Sequence, residues 1–223
     1  MTTAAFDGKY LVAERQTTSS QTDKKMLGGT CKIEMFAEPL RAMWEGCEYR
    51  FWGAAFSGTL HHADLLLKML LAEREHLEVL INGLPCICRP EVTILLAGTK
   101  SDSEGNVTPV GLALTWRSDR GIYKLKPTFS SVMLVIGSGS EVQVFAKKLG
   151  IKSAVAAVQF ASMIDPYSGG QIDWADRDCS MIHTLTIQDG RVVGGDVSID
   201  EHAGIIEELT GVVDKMRASL LGR

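Results

Sequence analysis

The chain has 223 residues, of which 45% are hydrophobic and 22% charged, and its formal net charge at pH 7 is -4. This composition is typical of a globular protein with a sizeable core, and the mild charge gives no indication of a nucleic-acid partner. The most apolar segment, residues 65–71, carries Lys68 in its middle and is too short to span a bilayer. Since the first residues also lack the pattern of a signal peptide, we expect a cytoplasmic protein with no membrane partner.

The cysteines and histidines give no indication of a metal or another cofactor. An odd number of cysteines without metal-site spacing favours free thiols in a reducing compartment over disulfides. The cysteines are Cys31, Cys47, Cys86, Cys88 and Cys179. His61 and His62 are adjacent on a predicted helix, so their side chains point about 100° apart and cannot chelate one ion together.

The first half of the chain predicts strands followed by one long helix. Asp7-Gly8 is a strong turn signal between two alternating segments, which predicts a hairpin at the very start of the chain. Leucines at helical spacing predict the helix, and Asn82-Gly83 would end it. In order, the elements are strands 3–6 and 9–13, an exposed loop 16–30, strands 31–36 and 48–56 with a turn near Glu45-Gly46, and a helix over 59–81.

The second half returns to strands, then helices, and then a last hairpin and helix. The predicted elements are strands 91–99, 110–116, 121–127 and 131–137, helices 140–149 and 152–163, a hairpin turning at Asp189-Gly190, and a helix over 200–221. This order predicts an α+β fold with largely antiparallel sheets and helices packed outside them, rather than a parallel sheet. No linker or repeat divides the chain, so residues 1–223 are expected to form one domain.

Thr2 is a candidate nucleophile, because removal of Met1 would leave a hydroxyl and a free α-amine on one residue. A free α-amine has a pKa of about 8 and can accept the hydroxyl proton, and a nearby ammonium group favours that transfer. Lys32 could supply the ammonium and Glu14 the carboxylate that holds it in place. The alternatives are that Thr2 only eases methionine removal, and that Lys32 and Glu14 form a surface pair.

Several short motifs, taken in sequence order, resemble those of proteasome β subunits and their bacterial and phage relatives, a family of N-terminal-nucleophile hydrolases. They are TT at 2–3, VAERQTTS at 12–19, CKI at 31–33, IGSGS at 136–140 and DPYSGGQID at 165–173. The resemblance runs from Thr2 to the last predicted helix. It implies a four-layer αββα sandwich in which two antiparallel sheets are covered by helices.

The resemblance also implies roles for individual residues. Thr2 would be the nucleophile, Lys32 the active-site lysine and Glu14 its acidic partner. Three further groups would hydrogen-bond and orient the threonine end: Ser138, Asp165 and Ser168. The backbone N–H that stabilises the oxyanion would belong to Ala55, with Gly53 as the other option.

Two of these motifs also have a purely structural interpretation. GSGS can simply turn the chain between a strand and a helix and cap the helix with a serine. SGG at 168–170 can close the helix of 152–163, which Pro166 would end.

Residues 34–50 are longer than the family pattern, which suggests an added hairpin that carries Trp44 and Tyr49 near the cleft.

The function implied by the resemblance is a threonine-type endopeptidase that cleaves peptide bonds through a Thr2 acyl-enzyme. It would work in closed homo-oligomeric rings of six or seven subunits on peptides or unfolded proteins, with room for a regulatory ATPase as partner. The alternatives are a non-catalytic ring subunit, and an amidase or peptide ligase with the same nucleophile. Apolar side chains for ring contacts would come from two helices: Leu60, Leu67, Leu70, Val142, Val144 and Phe145.

Overall fold

The protein folds as an α+β structure with two six-stranded antiparallel sheets, which confirms the predicted class. The computed structural model describes residues 2–18, 25–26, 29–72, 85–86, 92–119, 122–165, 169–178, 181–188 and 191–196, and positions 207, 210, 211, 214 and 218. All strand pairings between the described residues of the two sheets are antiparallel.

The first sheet contains the first and the last strand of the described residues and has the strand order β11-β1-β2-β12-β13-β14. Its strands are β1 (Thr3–Phe6), β2 (Tyr10–Glu14), β11 (Leu134–Gly137), β12 (Gln171–Asp176), β13 (His183–Gln188) and β14 (Arg191–Gly195). The predicted N-terminal hairpin is confirmed as β1 and β2. In its turn, the Asp7 carboxylate accepts the N–H groups of Lys9 and Tyr10 at 2.9 and 2.8 Å. In the strand order, β1 lies between β11 and β2, so it is an interior strand of the sheet.

The second sheet has the order β5-β6-β8-β9-β10-β7. Its strands are β5 (Ile33–Trp44), β6 (Cys47–Gly58), β7 (Pro85–Cys86), β8 (Val92–Ser101), β9 (Val107–Asp119) and β10 (Ile122–Ser130). A separate small ladder joins β3 (Thr17–Thr18) to β4 (Lys25–Met26). The turn predicted at Glu45-Gly46 is confirmed, and both residues have positive φ angles, of 48° and 77°.

Helices pack on the outer faces of the two sheets. Helix α1 (Leu60–Ala72) contacts β6 and β8, and α2 (Val142–Leu149) follows a 3₁₀ turn at Ser138–Glu141. Helix α3 (Ala154–Ile164) contacts β1, β2 and β12 and is buried over eight consecutive residues. Between the sheets, apolar side chains from both form one cluster, which includes Phe6, Leu11, Trp52 and Leu95.

Several predicted boundaries were too short, because the ladders continue through polar residues that carry no apolar signal. Strand β9 begins at Val107, and its Thr108 pairs with Lys100. Trp44 and Tyr49 were expected near the cleft, but both pack on Phe129 in the cluster that includes side chains of α1.

The remaining predictions fall partly or wholly on residues outside the described ranges. The helix predicted over 59–81 is seen as α1, and its part beyond residue 72 lies outside the described residues, as do Asp189-Gly190 and most of 200–221. In the part of the chain that the structure describes, no helix is long and apolar enough to cross a membrane.

Candidate active site

Thr2 lies inside the protein and its main chain is held from two directions. The Thr2 carbonyl oxygen accepts the Ser57 hydroxyl at 2.8 Å and the Ser138 N–H at 3.3 Å. The next peptide N–H, that of Thr3, donates to Glu14 Oε1 at 3.1 Å. Thr2 is only 3% exposed, so its side chain has a fixed position that a loose chain end would not give.

The two glycines of IGSGS make room for the threonine end. Gly137 has a φ of 93°, and a Cβ atom there would lie 1.6 Å from the Thr2 carbonyl oxygen. A Cβ on Gly139 would lie 2.3 Å from Thr3 Oγ1, which accepts the Gly139 N–H at 3.1 Å. The two glycines therefore allow residues 2–3 to approach this turn closely.

Lys32 reaches Thr2 from the segment that leads into β5. Its Nζ donates to Thr2 Oγ1 and to the main-chain oxygen of Gln16. Its own carbonyl accepts the Phe56 N–H at 3.2 Å, which ties this segment to β6. Lys32 is 3% exposed, so the prediction of a pairing with Thr2 and Glu14 agrees with the geometry and the surface alternative does not.

Glu14 lies beneath this contact and has no exposed surface. Its two oxygens accept three backbone N–H groups, from Thr3, from Gln16 at 2.6 Å and from Gly169 at 3.2 Å. The Lys32 Nζ lies 3.9 Å from Glu14 Oε1. The Glu14 carboxylate thus hydrogen-bonds to three segments close to the Lys32 ammonium: strand β1, the residues after β2 and the residues before β12.

Burial brings the pKa values of both groups toward neutrality. Desolvation raises the pKa of Glu14 to about 7, while the Lys32 charge and the three N–H donors act in the opposite direction. Desolvation lowers the pKa of Lys32 to about 8, against the attraction of Glu14 and Asp173. Strongly shifted groups beside a held hydroxyl are typical of catalytic sites.

Ser138 and Asp165 also come together, as the resemblance implied. The Ser138 hydroxyl donates to Asp165 Oδ2, and the Ser138 N–H bonds the Thr2 carbonyl oxygen. Asp165 ends α3 and donates its own N–H to the Ala161 carbonyl at 2.8 Å. The third supporting residue, Ser168, lies outside the described residues.

The structure places both residues that were expected to supply the oxyanion N–H, Ala55 and Gly53, inside strand β6. Ala55 pairs with Ile33 on one side and with Leu95 on the other and is fully buried between the sheets. N–H groups alternate in direction along a strand. Since the Phe56 N–H points to Lys32 in the β5 direction, that of Ala55 points the other way, into the ladder with β8. Gly53 lies deeper in the strand, where a Cβ would meet the Glu34 carbonyl at 3.2 Å.

Gly58 fits the donor position better. It is the last residue of β6, it is exposed, and its φ is 111°. It directly follows Ser57, whose hydroxyl donates to the Thr2 carbonyl oxygen at 2.8 Å, so this end of β6 lies at the site. The sequence prediction placed the strand-to-helix turn correctly at Gly58-Thr59, and Gly58 itself is a further candidate for the donor.

Three further residues around the site were missed. Ser57 contacts Thr2 and Gln16 contacts Lys32, each through a single polar atom. Only their positions, directly before Gly58 and two residues after Glu14, could have indicated them. Asp173 is fully buried and accepts Arg15 Nε on both oxygens at 2.8 Å. In the sequence, Arg15 directly follows Glu14 and Asp173 ends the motif DPYSGGQID, and these two positions could have indicated the pair.

Comparison with known proteins adds no assignment. No protein-family model matches the chain, and no curated protein matches it significantly. The functional conclusion therefore depends on the geometry described above and on the ordered motifs of the sequence.

Proposed function

We propose that this protein is an N-terminal-nucleophile hydrolase of the proteasome β type, a threonine peptidase that acts through Thr2. One observation carries the proposal: the buried Lys32 ammonium donates to the Thr2 hydroxyl, while the main chain of Thr2 is held by Ser57 and Ser138. A buried lysine is costly to maintain. Activation of the Thr2 hydroxyl would explain why the Lys32 ammonium lies against it.

The chemistry follows from the groups present. After removal of Met1, the Thr2 α-amine takes the hydroxyl proton as Oγ1 attacks the substrate carbonyl carbon, and Lys32 stabilises the developing negative charge. The same proton passes to the leaving amine as the peptide bond breaks, which leaves an ester on Oγ1. A water molecule then attacks the ester carbon and gives one proton to the amine. As the bond from this carbon to Oγ1 breaks, the amine passes the proton to Oγ1, which restores the hydroxyl and releases the acid product.

We assign the oxyanion contact to the Gly58 N–H, because Gly58 is the exposed last residue of β6 and directly follows Ser57, which hydrogen-bonds to Thr2. A donor at this position would be fixed by the ladder, and preorganised donors need no reorganisation during the reaction. The layer order also supports the proposed fold. Helix α3 packs on the first sheet, the two sheets share one core and α1 packs on the second, in the order of a four-layer αββα sandwich.

The alternatives differ in how well they agree with the site. A non-catalytic ring subunit would have no use for a buried lysine against Thr2 Oγ1. An amidase or peptide ligase would use the same Thr2 ester and differ only in the group that attacks it. A labelled peptide assayed with and without an amine acceptor separates hydrolysis from ligation.

Assembly into closed rings remains part of the proposal, with peptides or unfolded chains as substrates and a regulatory ATPase as a further partner. The structure narrows the contact residues. Leu67, Leu70 and Val142 are buried in the protein's own core, so they are not available to a neighbour. Leu60 and Val144 are 39% and 61% exposed. The side chain of Phe145 is not among those that the structure describes.

The test of the proposal is peptide hydrolysis by the purified protein and by two Thr2 variants. Thr2→Ala should abolish turnover and leave folding intact, because the lost hydroxyl contributes little to the core. Thr2→Ser keeps the hydroxyl and should retain activity. Normal turnover by Thr2→Ala would refute the proposal, and light scattering that shows a fully active monomer would refute the ring.

A further inference from the structure

We propose that Ser57 is a positioning residue, which orients Thr2 for attack by holding its carbonyl group. The inference rests on the proposed function of Thr2 and adds a residue that the sequence motifs did not indicate. Ser57 lies next to the end of β6, is 5% exposed, and donates its hydroxyl to the Thr2 carbonyl oxygen at 2.8 Å. The Ser138 N–H reaches the same oxygen at 3.3 Å, so the hydroxyl makes the shorter of these two bonds.

The bond fixes the plane of the peptide that joins Thr2 to Thr3. A peptide group is planar, so contacts at its oxygen and at its nitrogen together determine its orientation. Ser57 holds the oxygen and Glu14 holds the nitrogen, through the Thr3 N–H at 3.1 Å. With this plane fixed, rotations within Thr2 alone place Oγ1, and Lys32 contacts that atom.

Gly137 leaves the space that this hydroxyl occupies. A Cβ atom on Gly137 would lie 2.7 Å from Ser57 Oγ and 1.6 Å from the Thr2 carbonyl oxygen. The hydroxyl therefore lies in a close contact between β6, the turn after β11 and the chain end. A shortened side chain at position 57 would remove the donor from this contact.

Ser57 also connects the nucleophile to the proposed oxyanion donor. It belongs to the second sheet and directly precedes Gly58, whereas Thr2 leads into a strand of the first sheet. The Ser57 hydrogen bond thus helps to set the distance between the attacking hydroxyl and the donor proposed to receive the developing charge. Errors of about 1 Å in such a distance reduce rates by about a hundredfold.

The test compares kcat and KM for peptide hydrolysis between the wild type, variants of Ser57 and one control variant. Ser57→Ala should lower kcat between about tenfold and about a hundredfold and leave KM within about twofold, because substrate contacts remain while alignment is lost. Ser57→Thr restores a hydroxyl and should recover a large part of kcat. Should Ser57→Ala not fold, Ser57→Cys, which has nearly the same volume and a weak donor, gives the same comparison with the wild type.

Ser162→Ala is the matched control. The Ser162 hydroxyl also donates to a main-chain carbonyl, that of Gln159 at 2.7 Å, within α3 itself. Its kcat should equal that of the wild type. Wild-type kcat in folded Ser57→Ala, or an equal loss in Ser162→Ala, would overturn the positioning role alone. An inactive wild type whose Thr2 an epoxyketone does not label would overturn the proposed function and the inference with it.

Discussion

Two lysine–carboxylate pairs show how burial, rather than closeness, decides what a charged pair does in this protein. On α1, Lys68 Nζ lies 2.7 Å from Asp64 Oδ2, and the two side chains are 71% and 57% exposed. At the site, Lys32 Nζ lies 3.9 Å from Glu14 Oε1, and the side chains are 4% and 0% exposed. The first pair is in water, which solvates and screens both charges, and such pairs contribute about 0.3–0.5 kcal/mol.

The buried pair is more consequential although its atoms are farther apart. Neither charge has enough water to solvate it, so each depends on the other and on a few protein dipoles. The pKa values of Glu14 and Lys32 move to about 7 and about 8 as a result. The shorter pair supports a helix, and the longer pair provides groups that can exchange protons at neutral pH.

Replacing the two lysines should give the largest contrast. Lys32→Ala should lower the rate of peptide hydrolysis at least about a hundredfold, the scale of a lost charge-stabilising group. Lys32→Arg should not restore it, because a planar guanidinium cannot take the place of a compact ammonium. Lys68→Ala should keep the wild-type rate. Near-wild-type turnover in either Lys32 variant would show that the buried contact has no catalytic role.

Replacing the carboxylates should show the next largest contrast, this time in stability. In Glu14→Gln an amide NH₂ must face a backbone N–H at one of the two oxygen positions, so a donor loses its partner. We expect the free energy of unfolding at pH 8 to fall by about 1–3 kcal/mol, together with the rate. Asp64→Asn should change stability by about 0.5 kcal/mol or less. Urea unfolding of both variants measures the difference, and equal effects would contradict the comparison.

The sequence predicted the framework of this comparison but not its details. The terminal hairpin followed from Asp7-Gly8 and its alternating flanks, and the motif order placed Thr2, Lys32 and Glu14 together. The oxyanion donor could not be assigned, because the ladders around β6 shift register between Met35 and Leu40 and between Phe51 and Gly53. An irregular ladder changes which residues face a neighbouring strand.

Ser57 was missed for a related reason. Its contact with Thr2 joins the two sheets, and no local pattern in a sequence indicates which side chains meet between two sheets. Trp44 and Tyr49 show the same limit, since a long hairpin was recognised but the face on which its aromatic residues pack was not.

The pH dependence of kcat/KM should reflect the buried pair and not the exposed one. The Thr2 α-amine must be neutral to accept the hydroxyl proton, so the rate should rise toward the amine pKa of about 8. It should fall again as Lys32, whose pKa is lowered to about 8, loses its proton. In Glu14→Gln the attraction that supports the Lys32 charge is lost, so the falling limb should move to lower pH. A rate that stays constant from pH 6 to pH 9 would contradict this assignment.

Stability should show the opposite dependence on pH. The pKa of Glu14 is raised from 4.5 to about 7, so the folded state holds a proton that the unfolded state has released, and stability decreases as pH rises through this window. The pKa of Lys32 is lowered from 10.5 to about 8, so stability increases as pH rises from about 8 toward 10.5. Denaturant unfolding across this range should therefore show a minimum near pH 7–8 that the double variant Lys32→Met, Glu14→Gln lacks.

The most direct measurement of the central claim is the mass of the protein after treatment with a peptide epoxyketone, followed by mapping of the labelled residue. This probe reacts with a hydroxyl and an α-amine on the same residue, so it tests both parts of the proposed nucleophile at once. The account predicts one probe molecule per chain, attached to Thr2 of chains that lack Met1, and no labelling of Thr2→Ala. A folded, Met1-free protein that is active on peptides yet remains unlabelled at Thr2, or carries the probe on another residue, would contradict it.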